Sequence, residues 1–232
     1  MNPDDIFHQI SSQNHWRVQI RPSVFEERRI PSLGECRDIV DKSQLRLRGW
    51  YYPHIQDDYV VPGEDWVQSG HTAEGSHLEA WRLYQSGQFV HCFLMDEDFH
   101  KLGWRSSAFP NGRPERYLEV VSTLYRLTEI YEFAARLASR GVLSPAAELT
   151  ISWSGLKERV LVFWTIDRYL PADFICQCDK LDYHDKASES DFLTRSTELA
   201  LDAAVYIFER FGWYSPSRET LSMDQRRLLE RL

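Results

Sequence analysis

The sequence EAWRLYQSGQFVHCFL, residues 79–94, decides the fold class. Two runs rich in aromatic and β-branched residues flank Ser86 and Gly87, a dipeptide typical of a two-residue β-hairpin turn. We expect Gln85 to pair with Gln88, which would place Arg82 opposite His91. In this register one face carries Trp81, Leu83, Val90, Cys92 and Leu94, and the other carries Ala80, Arg82, Tyr84, Phe89, His91 and Phe93.

The composition indicates a folded globular protein. Of the 232 residues, 43% are hydrophobic and 13% are aromatic, which excludes general disorder. The length suits one large domain or two small ones. No apolar run reaches the roughly 20 residues of a membrane span, and the acidic N-terminus lacks the layout of a secretory signal. We therefore expect a cytoplasmic protein without a membrane partner.

Charge and cysteine content narrow the functional classes. The formal net charge is −8, and most of the 27 basic residues are arginine. Arginine binds carboxylates and phosphates through two parallel hydrogen bonds, although codon bias in a GC-rich genome would explain the same excess. The four cysteines show no disulfide framework.

Residues 1–110 predict an N-terminal α+β half that is rich in arginine and tryptophan on its strands. The strongest local signal is the pair Ser32 and Glu35, a capping-box pattern that begins a helix. The predicted elements are a helix over 4–12, a strand over 15–21, a helix ending near residue 42, a strand over 45–52, a long loop over 54–76 with one short strand near Trp66, the hairpin, and a connector over 103–116.

Residues 111–232 predict a helix–hairpin–helix half. A long helix over 117–140 ends at Gly141 and is apolar on most sides, so it is expected to be the central helix. Its polar residues are expected to form one narrow solvent stripe: Glu119, Ser122, Arg126, Glu129, Glu132, Arg136 and Arg140. Strands are predicted over 148–153, 160–164 and 174–183, followed by helices over 190–211 and 220–231.

The blockwise order of hairpins and helices favours an α+β fold over a doubly wound one. We expect antiparallel sheet hairpins that pack on the long central helix and on a second, C-terminal helix. The two halves are expected to form one compact unit.

Arginines on the predicted strands form the main candidate binding site. If the strands join one sheet, Arg17, Arg21, Arg46, Arg48 and Arg82 would tile one surface with Trp50, Tyr52, His54 and His91. Arginines interleaved with aromatic residues suit phosphate contact and base stacking, and equally suit anchoring of a protein partner. The alternative is that the arginines pair with carboxylates such as Glu26, Glu27, Asp38 and Glu79.

Two other functions stay open. A small metal- or histidine-dependent hydrolase, such as a nuclease, would use His54, His71 or His77 with Asp57, Asp58 or Glu79. A structural subunit of a larger assembly would dock through its exposed aromatic loop, and a homo- or hetero-oligomer is compatible with either role.

No catalytic residue, metal site or cofactor is predicted. Glycine-rich phosphate loops are absent from the sequence, and Ser152–Gly155 lacks the nucleophile-elbow pattern. Cys176, Cys178 and His184 lack the usual spacing of zinc ligands, so two buried cysteines facing a core are favoured. His54, His71, His77, His91 and His100 could cluster around the long loop, but no spacing in the sequence enforces a ligand set.

Three segments carry a family resemblance: RGWYYPH at 48–54, EAWRLYQSGQFVH at 79–91 and LTEIYEFAAR at 127–136. They resemble segments of uncharacterised bacterial proteins, some of which also contain a Schlafen/AlbA-type DNA-binding domain. The resemblance spans about residues 14–212, and this chain lacks the companion domain. It implies a sensor or accessory module in bacterial regulation or antiviral (phage) defence.

Overall fold

The computed structural model describes residues 3–55, 60–73, 77–99, 115–165 and 168–230. Its helices are α1 (Pro3–Ser11), α2 (Leu33–Ser43), α3 (Val120–Ala138), α4 (Glu189–Arg210) and α5 (Arg218–Leu229), with a short 3-10 helix at Asp96–Asp98. Its strands are β1 (His15–Pro22), β2 (Val61–Pro62), β3 (Trp66–Ala73), β4 (His77–Tyr84), β5 (Phe89–Leu94), β6 (Tyr117–Glu119), β7 (Ala146–Ser154), β8 (Val160–Val162) and β9 (Lys180–Ser188). The α+β prediction is confirmed.

An antiparallel sheet organises the fold. Within the described ranges it has seven strands in the order β2-β3-β4-β5-β1-β7-β9, and β6 pairs with β8 in a separate parallel pair. Strand β1 lies between β5 and β7. The first predicted half thus shares one continuous sheet with the second.

The two faces of the sheet are covered differently. One face packs on α3 and α4 in the main core, where the Phe89 and Phe133 rings lie 4.7 Å apart. On the other face, α1 covers β4 and β5 through Ile6 and Ile10. None of the described helices combines the length and the apolar composition that crossing a bilayer requires.

The hairpin β4–β5 exists, but its predicted register is wrong by one residue. The Tyr84 amide donates to the Gln88 carbonyl, and the Gly87 amide donates to the Tyr84 carbonyl. The loop therefore has three residues and ends on Gly87, whose φ of +85° suits glycine. Leu83 consequently pairs with Phe89, and Trp81 pairs with His91.

This shift of one residue exchanges the two faces of β5. The face that packs on α3 and α4 carries Trp81 together with Phe89, His91 and Phe93. The face that packs on α1 carries Val90, Cys92 and Leu94. The prediction that Arg82 opposes His91 is wrong, because Arg82 pairs with Val90 and lies over the α1 residue Phe7.

Local signals place several element ends correctly. The Ser32 hydroxyl accepts the Glu35 amide at the start of α2, as the capping pattern predicts. Gly212 follows α4 with a φ of +94°. The start of α4 is an exception: the sequence predicts a cap at Ser190, but the cap is Ser188, whose hydroxyl accepts the Asp191 amide in a capping box.

Other element predictions are wrong in detail. Residues 45–52 form a loop closed by a single bridge between Leu45 and Tyr52, not a strand. The predicted long loop contains the full strand β3. Residues 117–119 form β6 ahead of the central helix, and the last strand runs over residues 180–188 instead of 174–183. Most of the predicted connector lies outside the described residues, and so does His100.

Candidate functional site

A buried carboxylate on β4, Glu79, lies at the centre of a histidine cluster. Its side chain is 3% exposed and accepts the His54 backbone amide at 2.9 Å and His77 Nε2 at 3.0 Å. His91 Nε2 lies 3.6 Å away. Burial alone would raise the pKa of Glu79, but the hydrogen bond from His77 and the closeness of His91 hold that pKa well below its usual value. Glu79 is therefore ionised inside the protein.

The two histidines next to Glu79 differ in their protonation. Burial lowers the pKa of His91, whose Nδ1 lies 3.3 Å from the Tyr52 hydroxyl. Burial would also lower the pKa of His77, but hydrogen bonds to Asp96 and Glu79 raise that pKa to about 9. At neutral pH His77 is thus a cation held between two carboxylates, whereas His91 is neutral.

Helix α3 contributes an arginine and a glutamate that extend this buried network. Arg126 Nη2 lies 2.8 Å from Asp96 Oδ2, and Arg126 Nη1 lies 4.0 Å from Glu129 Oε2. Glu129 is fully buried and accepts Nε and Nη2 of Arg48 at 3.0 and 2.7 Å. The prediction that Arg126 and Glu129 belong to a solvent stripe is therefore wrong.

A cleft of about 250 Å³ opens beside this network. Five of its twelve lining residues are aromatic, and polar groups come from Arg48, from the 3-10 helix and from α3. The lining residues are Trp16, Arg48, Trp50, Phe93, Leu94, Asp96, Glu97, Ser122, Thr123, Tyr125, Arg126 and Trp164. A cleft of this size admits one side chain or one small ring, since sites for larger ligands are typically above ~300 Å³.

Two tryptophans that line the cleft are only about half covered. Trp50 is 48% exposed and Trp164 is 46% exposed. The Arg48 guanidinium lies 4.9 Å from the centre of the Trp50 ring. The Trp164 amide donates to the Glu119 carboxylate at 3.2 Å. A cation–π contact therefore holds the Trp50 ring and a backbone hydrogen bond anchors Trp164, while part of each ring remains open to solvent.

The structure does not bring the predicted arginines onto one surface. Arg17, Arg21 and Arg82 lie on the α1 side of the sheet, where Arg21 pairs with Glu148. Arg46 and Arg48 lie on the loop that approaches α3 from the other side. The prediction of a single arginine surface is wrong, because residues 45–52 are a loop and not a strand of this sheet. The shifted hairpin register separates His91 from Arg82 as well.

Most of the remaining predicted site residues are buried or make contacts within the protein. Tyr52 and His91 are buried in the core. The His54 carbonyl accepts the Trp81 indole at 2.8 Å. Arg82 donates to Gln68 and lies 4.0 Å from the centre of the Trp66 ring. Of the predicted set, Arg48 and Trp50 alone line the cleft.

Histidines do converge around Glu79, as the sequence allowed. The rings of His54 and His71 lie 4.1 Å apart, and those of His71 and His77 lie 6.0 Å apart. Nevertheless, among the residues with described positions, no three His, Cys, Asp or Glu side chains are placed to hold a metal ion. Asp57 and Asp58, the proposed partners of these histidines, lie outside the described residues.

The cysteine pair does not share a buried face as predicted. Cys176 is buried and donates its thiol to the Cys178 carbonyl at 3.3 Å, whereas Cys178 is exposed. His184 lies on β9 against the Thr150 hydroxyl at 3.1 Å.

Sequence reasoning did not assign five residues to the network and cleft: Asp96, Glu97, Arg126, Glu129 and Trp164. One signal was available for Arg126, because it lies three residues before Glu129 in an otherwise apolar stretch, a spacing that places both on one side of a helix. The acidic run at residues 96–98 gave no indication of which partners it would meet.

The protonated His77 makes a testable contribution to stability. Its pKa of about 9 in the folded state exceeds the ordinary value of 6.5, so its stabilisation is present below pH 6.5 and is lost as pH rises to about 9. We expect the free energy of unfolding of the wild-type protein, measured by urea denaturation, to fall over this range. His77→Gln should flatten the fall, and the control His8→Gln on α1 should not. A wild-type curve that is flat from pH 6.5 to 9 would contradict this assignment.

Comparison with protein-family models, curated proteins and solved structures found no match.

Proposed function

We propose that this protein is a binding module that captures a protein partner at the aromatic cleft. Trp50 and Trp164, more than one hundred residues apart in sequence, meet at the cleft with nearly half of each side chain exposed. This is the observation that carries the proposal. Tryptophan, tyrosine and arginine dominate the energetics of protein interfaces, and Tyr51, 48% exposed, directly follows Trp50.

The charges favour a protein partner over a nucleic acid. Binding to nucleic acid depends on basic side chains that neutralise phosphates. The two arginines of the cleft already pair with Glu129 and Asp96, and the net charge is −8. Together these features support recognition of a protein and provide little attraction for a phosphate backbone.

The proposal is tested by selecting peptides from a displayed library of random linear sequences on the purified protein. A labelled selected peptide is then titrated by fluorescence anisotropy. We expect Trp50→Ala combined with Trp164→Ala to weaken binding by at least tenfold, about 1.4 kcal/mol. The control Tyr214→Ala removes a ring that is 79% exposed and does not line the cleft, and it should leave affinity unchanged.

Two outcomes would overturn the proposal. In the first, the selected peptides bind the double variant as tightly as they bind the wild type, and thermal melting shows that both proteins are folded. The other is a library that yields no binder while a labelled single-stranded oligonucleotide binds and loses affinity in the double variant.

A further inference from the structure

One carboxylate of the cleft has no cation of its own. Glu97 is partly exposed, lines the cleft and accepts the Glu119 backbone amide at 3.3 Å. It makes no ion pair within 4 Å among the residues whose positions are described, although both of its neighbours do: Asp96 pairs with Arg126, and Asp98 pairs with Arg159. A carboxylate that is shielded from much of the solvent and has no counter-ion is unfavourable in the unliganded protein.

The arginines that line the cleft do not supply the missing charge. Arg48 pairs with Glu129, and Arg126 pairs with Asp96 and approaches Glu129. With these pairs formed, Glu97 is the ionisable group of the lining that remains unpaired.

A second polar group in the cleft also lacks a partner. The Thr123 side chain is 1% exposed and lines the cleft, and its hydroxyl oxygen has no hydrogen-bond partner among the described residues. Buried hydroxyls are nearly always hydrogen-bonded. A ligand that donates a hydrogen bond within the cleft would satisfy the Thr123 oxygen together with Glu97.

The walls of the cleft suit a positively charged group. Trp16, Trp50, Tyr125 and Trp164 provide aromatic surface, and a cation within about 6 Å of a ring centre is attracted to the electron-rich face. A lysine or arginine side chain combines a slender apolar stem with a charged end that donates several hydrogen bonds. The net charge of −8 would also draw a basic partner.

Given the protein partner proposed above, we infer that the cleft seats a basic side chain of that partner, with Glu97 as its counter-ion and the aromatic walls around its stem. The lining fits the side chain, because the aromatic rings suit its stem and the unpaired Glu97 and Thr123 suit its charged end. A neutral apolar side chain would leave both polar groups without partners.

Blocked tripeptides provide the direct test. Acetyl-Gly-Lys-Gly-amide and its arginine and norleucine counterparts are titrated into the isotope-labelled protein while the indole N–H signals are followed by NMR. We expect the lysine or the arginine peptide to shift the Trp50 and Trp164 signals with at least tenfold higher affinity than the norleucine peptide. Glu97→Gln should abolish this preference, and the control Glu148→Gln on the opposite face of the sheet should retain it.

The pH dependence gives a second measurement that needs no variant. Burial raises the pKa of Glu97 to about 7, with Asp96 adding to the rise and Arg159 opposing it, while Tyr117 and Glu119 are the other ionisable groups close by. Below that pH the neutral carboxyl no longer attracts a cation. We therefore expect affinity for the basic peptide to fall several-fold between pH 7.5 and pH 6, and affinity for the norleucine peptide to stay constant.

The outcomes separate this inference from the proposed function. Two results would contradict the inference that the cleft binds a basic side chain. One is equal affinity of the wild type for the basic and norleucine peptides, and the other is an affinity for the basic peptide that does not change with pH. The library-selected peptides would still report whether Trp50 and Trp164 form the partner site. In the double tryptophan variant the tripeptides are followed through backbone amide signals. If this variant keeps both its affinity for the selected peptides and its preference for the basic tripeptides, both proposals are overturned.

Discussion

Replacing Glu129 with leucine is expected to lower the free energy of unfolding by about 3–5 kcal/mol, the usual cost of leaving a buried charge without its partner. Glu129 is fully buried and accepts two hydrogen bonds from Arg48, whose side chain is 11% exposed. Arg126, 5% exposed, would lose part of its negative surroundings at the same time. Urea denaturation followed by circular dichroism measures the loss directly.

A surface pair and a double variant make this prediction specific. Asp38→Ala removes an ion pair between exposed residues, Asp38 and Lys42, and should change stability little. Arg48→Met combined with Glu129→Leu removes both charges of the buried pair and should cost less than Glu129→Leu alone. If the single leucine variant is as stable as the wild type, Glu129 is not the buried counter-ion of Arg48.

Trp81→Ala is the other substitution with a large expected effect, a loss of about 3–5 kcal/mol of unfolding free energy. Trp81 is fully buried on β4, and its ring lies 6.3 Å from that of Phe89 in a stacked arrangement. Its indole also donates to the His54 carbonyl at 2.8 Å. The substitution therefore leaves a cavity and an unpartnered carbonyl next to the histidine cluster.

The matched control is Trp164→Ala, which removes the same ring from a half-exposed position. Guanidinium denaturation should show a shift in the midpoint for Trp81→Ala that is several times larger than the shift for Trp164→Ala. Equal shifts would indicate that Trp81 contributes no more to the stability of the core than the half-exposed Trp164 does.

Sequence patterns identified elements better than they identified pairing. The Ser32 cap and the hairpin of residues 79–94 follow from local chemistry, because a hydroxyl at a helix start and a glycine at a turn act within a few residues. The register depends on whether Gly87 closes a two- or a three-residue loop. Both loops fit the same dipeptide, so the sequence did not determine which side chains of β5 face α3 and α4 and which face α1.

The candidate site was predictable only in part. Arg48 and Trp50 were expected to contribute to binding, and both line the cleft. Arg126 and Glu129 fit a solvent stripe as well as an inward pair, since spacing along a helix does not specify which side is covered. Trp164 and Glu97 join the cleft through contacts between distant segments, which no local pattern encodes.

The central position of β1 has a consequence for how the chain acquires its fold. The ribosome makes this strand before both of its neighbours, and the later neighbour, β7, begins only at Ala146. Until that later segment emerges, one edge of β1 has no hydrogen-bonding strand beside it, and an N-terminal fragment would expose this edge to other chains. A truncated product should therefore aggregate, and co-expression of the missing C-terminal piece should rescue its solubility.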